Sequence, residues 1–84
     1  MNTRKLLRTL LAFPSHTRYD DLRGLVGGFG FRLVRVSGGH HIFSHPAVPE
    51  LVNLQEVAGE AKPYQIRQFL RLIERHNLTL DDAE

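Results

Sequence analysis

Cysteine and tryptophan are absent from the 84 residues, methionine occurs once, and no long apolar run is present. Without thiols there can be no disulfide framework, thiolate zinc centre, thiol nucleophile or iron–sulfur cluster, so the fold must rest on apolar packing. The longest apolar stretches, such as Leu10 to Phe13, fall far short of the roughly 18 to 20 residues of a membrane span. The amino terminus lacks a signal-peptide core followed by small residues. These features predict a soluble, cytoplasmic protein with no membrane association. A chain this short is expected to form a single domain, residues 1–84, burying about 60 to 65% of its unfolded surface. Length alone excludes a deep cleft between domains and the large cofactor-binding folds.

The net charge of +2 conceals an asymmetry. Residues 1–47 carry seven Lys and Arg against Asp20 and Asp21, a net +5. Residues 48–84 carry four against seven acids, a net −3, and three of those acids lie in the last four residues. A short acidic tail of this kind is expected to be solvated, which leaves a body of +5 for which a polyanion is a natural partner. Four of the five histidines, His16, His40, His41 and His45, belong to the basic part.

The pattern predicts an α+β fold with helix, helix, three strands and helix in order. Thr3 suits an N-cap, and Leu6, Leu7, Leu10 and Leu11 form one apolar stripe on a first helix that Pro14 ends. A polar linker from Ser15 to Arg18 leads to a second short helix, capped by Asp20 or Asp21, with Leu22, Leu25 and Val26 as its apolar face. Gly24, Gly27 and Gly28 weaken and stop it. Phe31 to Val36 reads as a strand, Gly38-Gly39 as a hairpin turn, His40 to Ser44 as a second strand and Leu51 to Gln55 as a third, with Gly59 closing the sheet. Pro63 suits the first turn of a last helix, on which Ile66, Phe69, Leu70 and Ile73 recur at helical spacing and Asn77 is a terminator. Along that helix Arg67, Arg71 and Arg75 form a basic ridge.

The densest polar feature is Gly38-Gly39-His40-His41-Ile42-Phe43-Ser44-His45. Strand alternation places His41, Phe43 and His45 on one face and His40, Ile42 and Ser44 on the other, so at most two of these histidines share a site. If Phe43 enters the core, His40 faces outward. Three readings fit these residues. His41 and His45 can both reach one metal ion, although two neutral ligands without a carboxylate or thiolate are a poor set. The histidines can equally be polar strand residues beside a turn. Alternatively, an imidazole that titrates near neutrality can take a proton from a ribose 2′-hydroxyl or give one to a leaving oxygen. Gly38 and Gly39 would then let a phosphate backbone approach, with Arg35, Lys62, Arg67 and Arg71 holding phosphates and His41 assisting or merely packing.

The run Gly30-Phe31-Arg32-Leu33-Val34-Arg35, followed by Gly38-Gly39-His40-His41-Ile42-Phe43-Ser44-His45-Pro46, resembles the HicA family of small bacterial toxins. Asn53-Leu54-Gln55-Glu56, Gly59 and Lys62-Pro63-Tyr64-Gln65-Ile66-Arg67-Gln68 extend the likeness over about residues 19–77. The resemblance implies a fold like a double-stranded-RNA-binding domain, with a three-stranded antiparallel sheet backed by helices. It also implies a metal-independent mRNA endoribonuclease (mRNA interferase) that needs no cofactor and is neutralised by a HicB-type antitoxin. The family's catalytic histidine matches His40. Two positions depart from the family: its Ser before that histidine is Gly39 here, and a Lys common just before the preceding Gly is Ser37. The helix at about residues 3–13 is an addition, and residues 78–84 form the tail.

Other signatures fail on context. Gly27-Gly28-Phe29-Gly30 fits a KH-type GxxG but leads into a strand, and Gly28-Phe29-Gly30 lacks the third glycine and the helix of a dinucleotide loop. Neither Ser37 nor Ser44 sits in a nucleophile elbow.

Overall fold

A computed structural model describes residues 3–12 and 17–80. Among them are three helices, α1 (Thr3–Ala12), α2 (Tyr19–Gly28) and α3 (Pro63–Arg75), and four strands, β1 (Arg32–Ser37), β2 (His40–His45), β3 (Val48–Val57) and β4 (Glu60–Ala61). The strands form one antiparallel sheet in the order β1-β2-β3-β4. The α+β class is as the sequence predicts. The helix stop at Pro14, the start of the linker at Ser15, His16 and the acidic tail from Asp81 lie outside the described residues, as do the side chains of Thr3 and Leu6. No helix among the described residues is long and apolar enough to cross a membrane.

The fourth strand was not expected, because Gly59 reads as the end of the sheet. Ala58 and Gly59 both take positive φ, 53° and 80°, and so reverse the chain within two residues, as a hairpin turn of this twist requires. β4 in turn fixes the start of α2. Tyr19 N–H donates to Gly59 O at 3.0 Å and Ala61 N–H to Thr17 O at 3.0 Å, which holds Arg18 extended. Helix α2 therefore begins at Tyr19 after an Arg18 that makes no side-chain cap. Asp20 and Asp21, expected as caps, lie in the first turn instead, where they complement the helix dipole. Gly24 and Gly27 do not break the helix, because Leu22, Leu25 and Val26 are fully buried and packing outweighs propensity.

The core joins Leu10 of α1, the apolar face of α2, Phe43, Val52 and Leu54 from one face of the sheet, and Ile66, Phe69 and Leu72 of α3. Phe69 stands edge-on to Phe29 at 5.7 Å and to Phe31 at 5.8 Å, an arrangement that aromatic quadrupoles favour. The stripe on α1 is narrower than its spacing suggests: Leu10 is buried and Leu7 partly so, whereas Leu11 is 57% exposed. Helix α3 ends in a Schellman motif. Asn77 (φ 52°) donates to Glu74 O and Leu78 N–H donates to Ile73 O at 2.9 Å, so Asn77 is the terminator its side chain predicts.

Candidate nucleic-acid interface

His40 opens β2 directly after the turn. Gly38 and Gly39 have φ of 57° and 84°, the double left-handed geometry of a two-residue hairpin turn. A Cβ at either would meet nothing within 4 Å, so glycine serves backbone conformation here rather than lack of space. The register pairs Ser37 with His40 directly after the turn.

Cross-strand partners share a face, so the register also sorts the side chains. Phe43, Leu33, Val52, Leu54 and His41 belong to the helix-covered face. His40, Ile42 and Ser44 lie on the other, together with Arg35, Asn53 and Gln55. Ile42 is buried yet lies outside the main core cluster, as expected for the centre of a sheet face floored by its neighbours. A β-bulge between Leu33 and Arg35 has a direct consequence for charge. Strict alternation would send Arg32 and Arg35 to opposite faces, but the extra residue, Val34, brings both to the face of His40, since Arg32 pairs with Ser44 and Arg35 with Ile42.

On this face His40 Nδ1 lies 3.1 Å from Asn53 Oδ1. With the amide oxygen accepting, Nδ1 carries the proton and Nε2 keeps its lone pair. His40 is partly exposed. The ring is thus held at Nδ1 in a residue that is partly open to solvent.

The other two strand histidines are not brought to this face. His41 packs against Tyr19 with ring centroids 5.0 Å apart, and His41 Nδ1 and the Tyr19 hydroxyl are both buried without a hydrogen-bond partner. Burial pushes the Tyr19 phenol above its usual 10.0, and the nearby Arg23 opposes that shift. His45 packs on Phe31 at 5.0 Å, and its Nδ1 accepts the Ala47 N–H at 3.0 Å, which makes it a cap for the β2–β3 turn. A Cβ on Gly30 would stand 3.0 Å from His45 Nε2, a tight contact that adds to the preference for glycine set by its φ of 95°. His41 and His45 therefore face different aromatic partners and do not converge on one ion. Among the described residues no group of three or more His, Asp or Glu is placed to hold a metal.

Beside Asn53 runs a groove of about 270 Å³ between β3 and α3, lined by Glu50, Asn53, Gln65, Gln68, Arg71 and Arg75 among others. Its geometry depends on Gln65, which is 5% exposed. The short β4 leaves most of the β3 edge unpaired, and Gln65 fills the role of a strand there. Its Oε1 accepts the Gln55 N–H at 3.1 Å and its Nε2 donates to Asn53 O at 3.4 Å. Gln55 is the cross-strand partner of His40 and Asn53 its hydrogen-bond partner, so one amide ties the first turn of α3 to the His40 site.

The basic ridge on α3 does not act as a unit. Arg71 lines the groove, whereas Arg67 is exposed outside it. Arg75 is committed to Glu50 at 2.9 Å, and His76 Nε2 reaches the other carboxylate oxygen at 2.9 Å. Desolvation pulls the Glu50 carboxyl upward, but its own backbone N–H and the bonds from His76 and Arg75 outweigh this and hold it below the usual 4.5. Lys62 stands just before α3 with its Nζ 6.0 Å from the Tyr64 ring centroid.

Of the residues singled out by sequence, His40, Arg35, Gly38 and Gly39 come together on one face and Arg71 flanks it. Asn53, Gln65 and Arg32 were missed as site residues. Their contribution depends on strand register and a bulge, which composition and periodicity do not report. Comparison with protein-family models, with curated proteins and with solved structures finds no match to this chain.

Proposed function

We propose that this chain is a metal-independent mRNA endoribonuclease, the toxin of a HicA-type toxin–antitoxin pair, with His40 as its acid–base residue. The observation that carries the reading is the partly exposed His40 imidazole, held at Nδ1 by Asn53 on a sheet face that also bears Arg32 and Arg35. In this reading Nε2 takes the proton of a ribose 2′-hydroxyl as that oxygen attacks the adjacent phosphorus, and a proton is returned to the leaving 5′-oxygen. Arginines 32, 35 and 71 neutralise the phosphates, and no cofactor is required. The likeness to a double-stranded-RNA-binding domain, the cytoplasmic setting and a HicB-type antitoxin as partner belong to the same proposal. They rest on the resemblance carried by residues 19–77.

Expression in a bacterial host tests it. Induction should arrest growth and deplete mRNA, and His40→Ala should relieve both while the domain stays folded. Equal toxicity of parent and variant overturns the catalytic assignment.

A second reading, a catalytically weak RNA-binding or antitoxin-binding module, is favoured by one feature. His40 is the lone strand histidine on its face, and Gly39 lacks the hydroxyl and Ser37 the cation that the family carries at those two positions. RNA retention without cleavage by the parent protein would select it.

A further inference from the structure

Tyr64 is the one aromatic side chain open to solvent among the described residues. It is 46% exposed, whereas Tyr19, Phe29, Phe31, Phe43 and Phe69 are each 5% exposed or less. A single exposed ring is ordinary on any protein surface. This one is distinguished by its position. It lies four residues before Gln68 and seven before Arg71, on the flank of α3 that those two groove-lining residues share. Gln65, its immediate neighbour, is bonded to Asn53 O and Gln55 N, so only the width of β3 separates the first turn of α3 from His40. The Lys62 ammonium stands over the ring, 6.0 Å from its centroid, which places a cation on one face of it.

We propose that Tyr64 is a stacking platform for an unpaired base, so that the RNA accepted by this surface is single-stranded. The proposal rests on the RNA reading of the site and adds a substrate class to it. A strand whose phosphates follow Arg35, His40 and Arg71 carries its bases to one side of that track, where Tyr64 offers a flat apolar ring and Lys62 a charge for the adjoining phosphate. Bases in a duplex are stacked on one another and present edges rather than faces, so a duplex gains nothing from this ring. Among the paired residues of the outer sheet face, which include Arg32, Arg35, Ser37, His40, Ile42, Ser44, Asn53 and Gln55, there is no Phe, Tyr or Trp, and the His40 ring is held by Asn53.

The test uses the full chain carrying His40→Ala, so that RNA is bound and not cut, with a short uridine oligonucleotide, an abasic ribose-phosphate oligomer of the same length and an RNA duplex as probes. With no tryptophan and only two tyrosines, the emission that Tyr64→Phe removes belongs to Tyr64, and the Tyr19 signal that remains is the background. Adding Tyr64→Ala should weaken uridine-oligomer binding about tenfold or more. It should leave binding of the duplex and the abasic oligomer unchanged. Tyr64→Phe should bind like its parent but lose the quenching of emission on binding. Equal affinity of the Ala variant and its parent for the uridine oligomer, or failure of Phe to restore binding, overturns the platform while leaving RNA binding intact. If the His40→Ala parent retains none of the three probes at low salt, the RNA reading itself falls and the platform with it.

Discussion

His40 Nδ1 and Asn53 Oδ1 face each other at 3.1 Å across the two central strands, on the sheet face opposite Phe43, Val52 and Leu54. This contact orients the ring, and in the tautomer that donates from Nδ1 the nitrogen left as a base is Nε2. Asn53 is itself exposed, so Asn53→Ala should change stability by no more than about 0.5 kcal/mol. Cleavage should fall by at least about tenfold, since an unheld imidazole samples both tautomers and several ring orientations. Asn53→Asp places a carboxylate against the ring and should move the lower limb of the cleavage pH profile to higher pH. A pH–rate series on the two variants, with thermal melts alongside, checks both statements.

The turn before His40 makes a stability prediction independent of function. Replacing Gly39 (φ 84°) by Ala or Ser forces a side chain into left-handed backbone and should cost about 1 to 2 kcal/mol, with no steric clash to add to it. Ser at this position supplies the hydroxyl that the HicA pattern carries, so Gly39→Ser separates the two effects: denaturant melts report the loss and RNA retention reports any gain.

Gln65 is the joint between helix and site. Gln65→Leu leaves Gln55 N–H and Asn53 C=O without their partner at a part-buried edge and should cost about 2 kcal/mol. Gln65→Glu keeps the acceptor for Gln55 N–H but, ionised near neutral pH, sets a buried charge against Asn53 O, so it should cost at least as much as Leu there and recover toward the parent in acid. Urea unfolding of the three proteins orders them.

Arg71 and Arg75 should behave differently although they are one turn apart. Arg71→Gln should weaken RNA retention and lower its salt slope by about one phosphate contact, whereas Arg75→Gln should change both less, because the charge it removes is already paired with Glu50. Glu50 also sets an acid limb. Its carboxyl is held below 4.5 in the folded chain, so it contributes stability above that pH and the contribution is lost as the pH falls through the folded value. Glu50→Gln should therefore lower Tm at neutral pH and converge with the parent in acid. Parallel melting curves across that range read the difference.

Much of the frame was legible from residue pattern alone. Pro63, the Ile66/Phe69/Ile73 spacing and Asn77 locate α3, and the Gly38-Gly39 pair locates the hairpin, because each acts through local backbone preference. Alternation in β2 correctly separated His40 from His41 and Phe43. What escaped was non-local. The start of α2 is set by bonds to Gly59 and Ala61, some forty residues away in sequence, and the β4 turn puts Ala58 at a φ that nothing in alanine announces. In the candidate site, Asn53 reaches His40 through a β2–β3 register that a second irregularity, between Phe43 and His45, shifts by two residues. Arg32 joins Arg35 only because Val34 forms a bulge. Arg75 reads as part of the basic ridge, and its diversion to Glu50 depends on where the start of β3 meets the end of α3.

The central claim is that His40 cleaves RNA without metal, and one measurement meets it head-on. Purified protein is incubated with an unstructured mRNA fragment in EDTA, with His40→Ala prepared in parallel to expose any contaminating nuclease. The account predicts cleavage by the parent and a loss of at least about a hundredfold in the variant, the scale on which a positioned acid–base group acts. Equal cleavage by both proteins, or intact RNA with both, would contradict it.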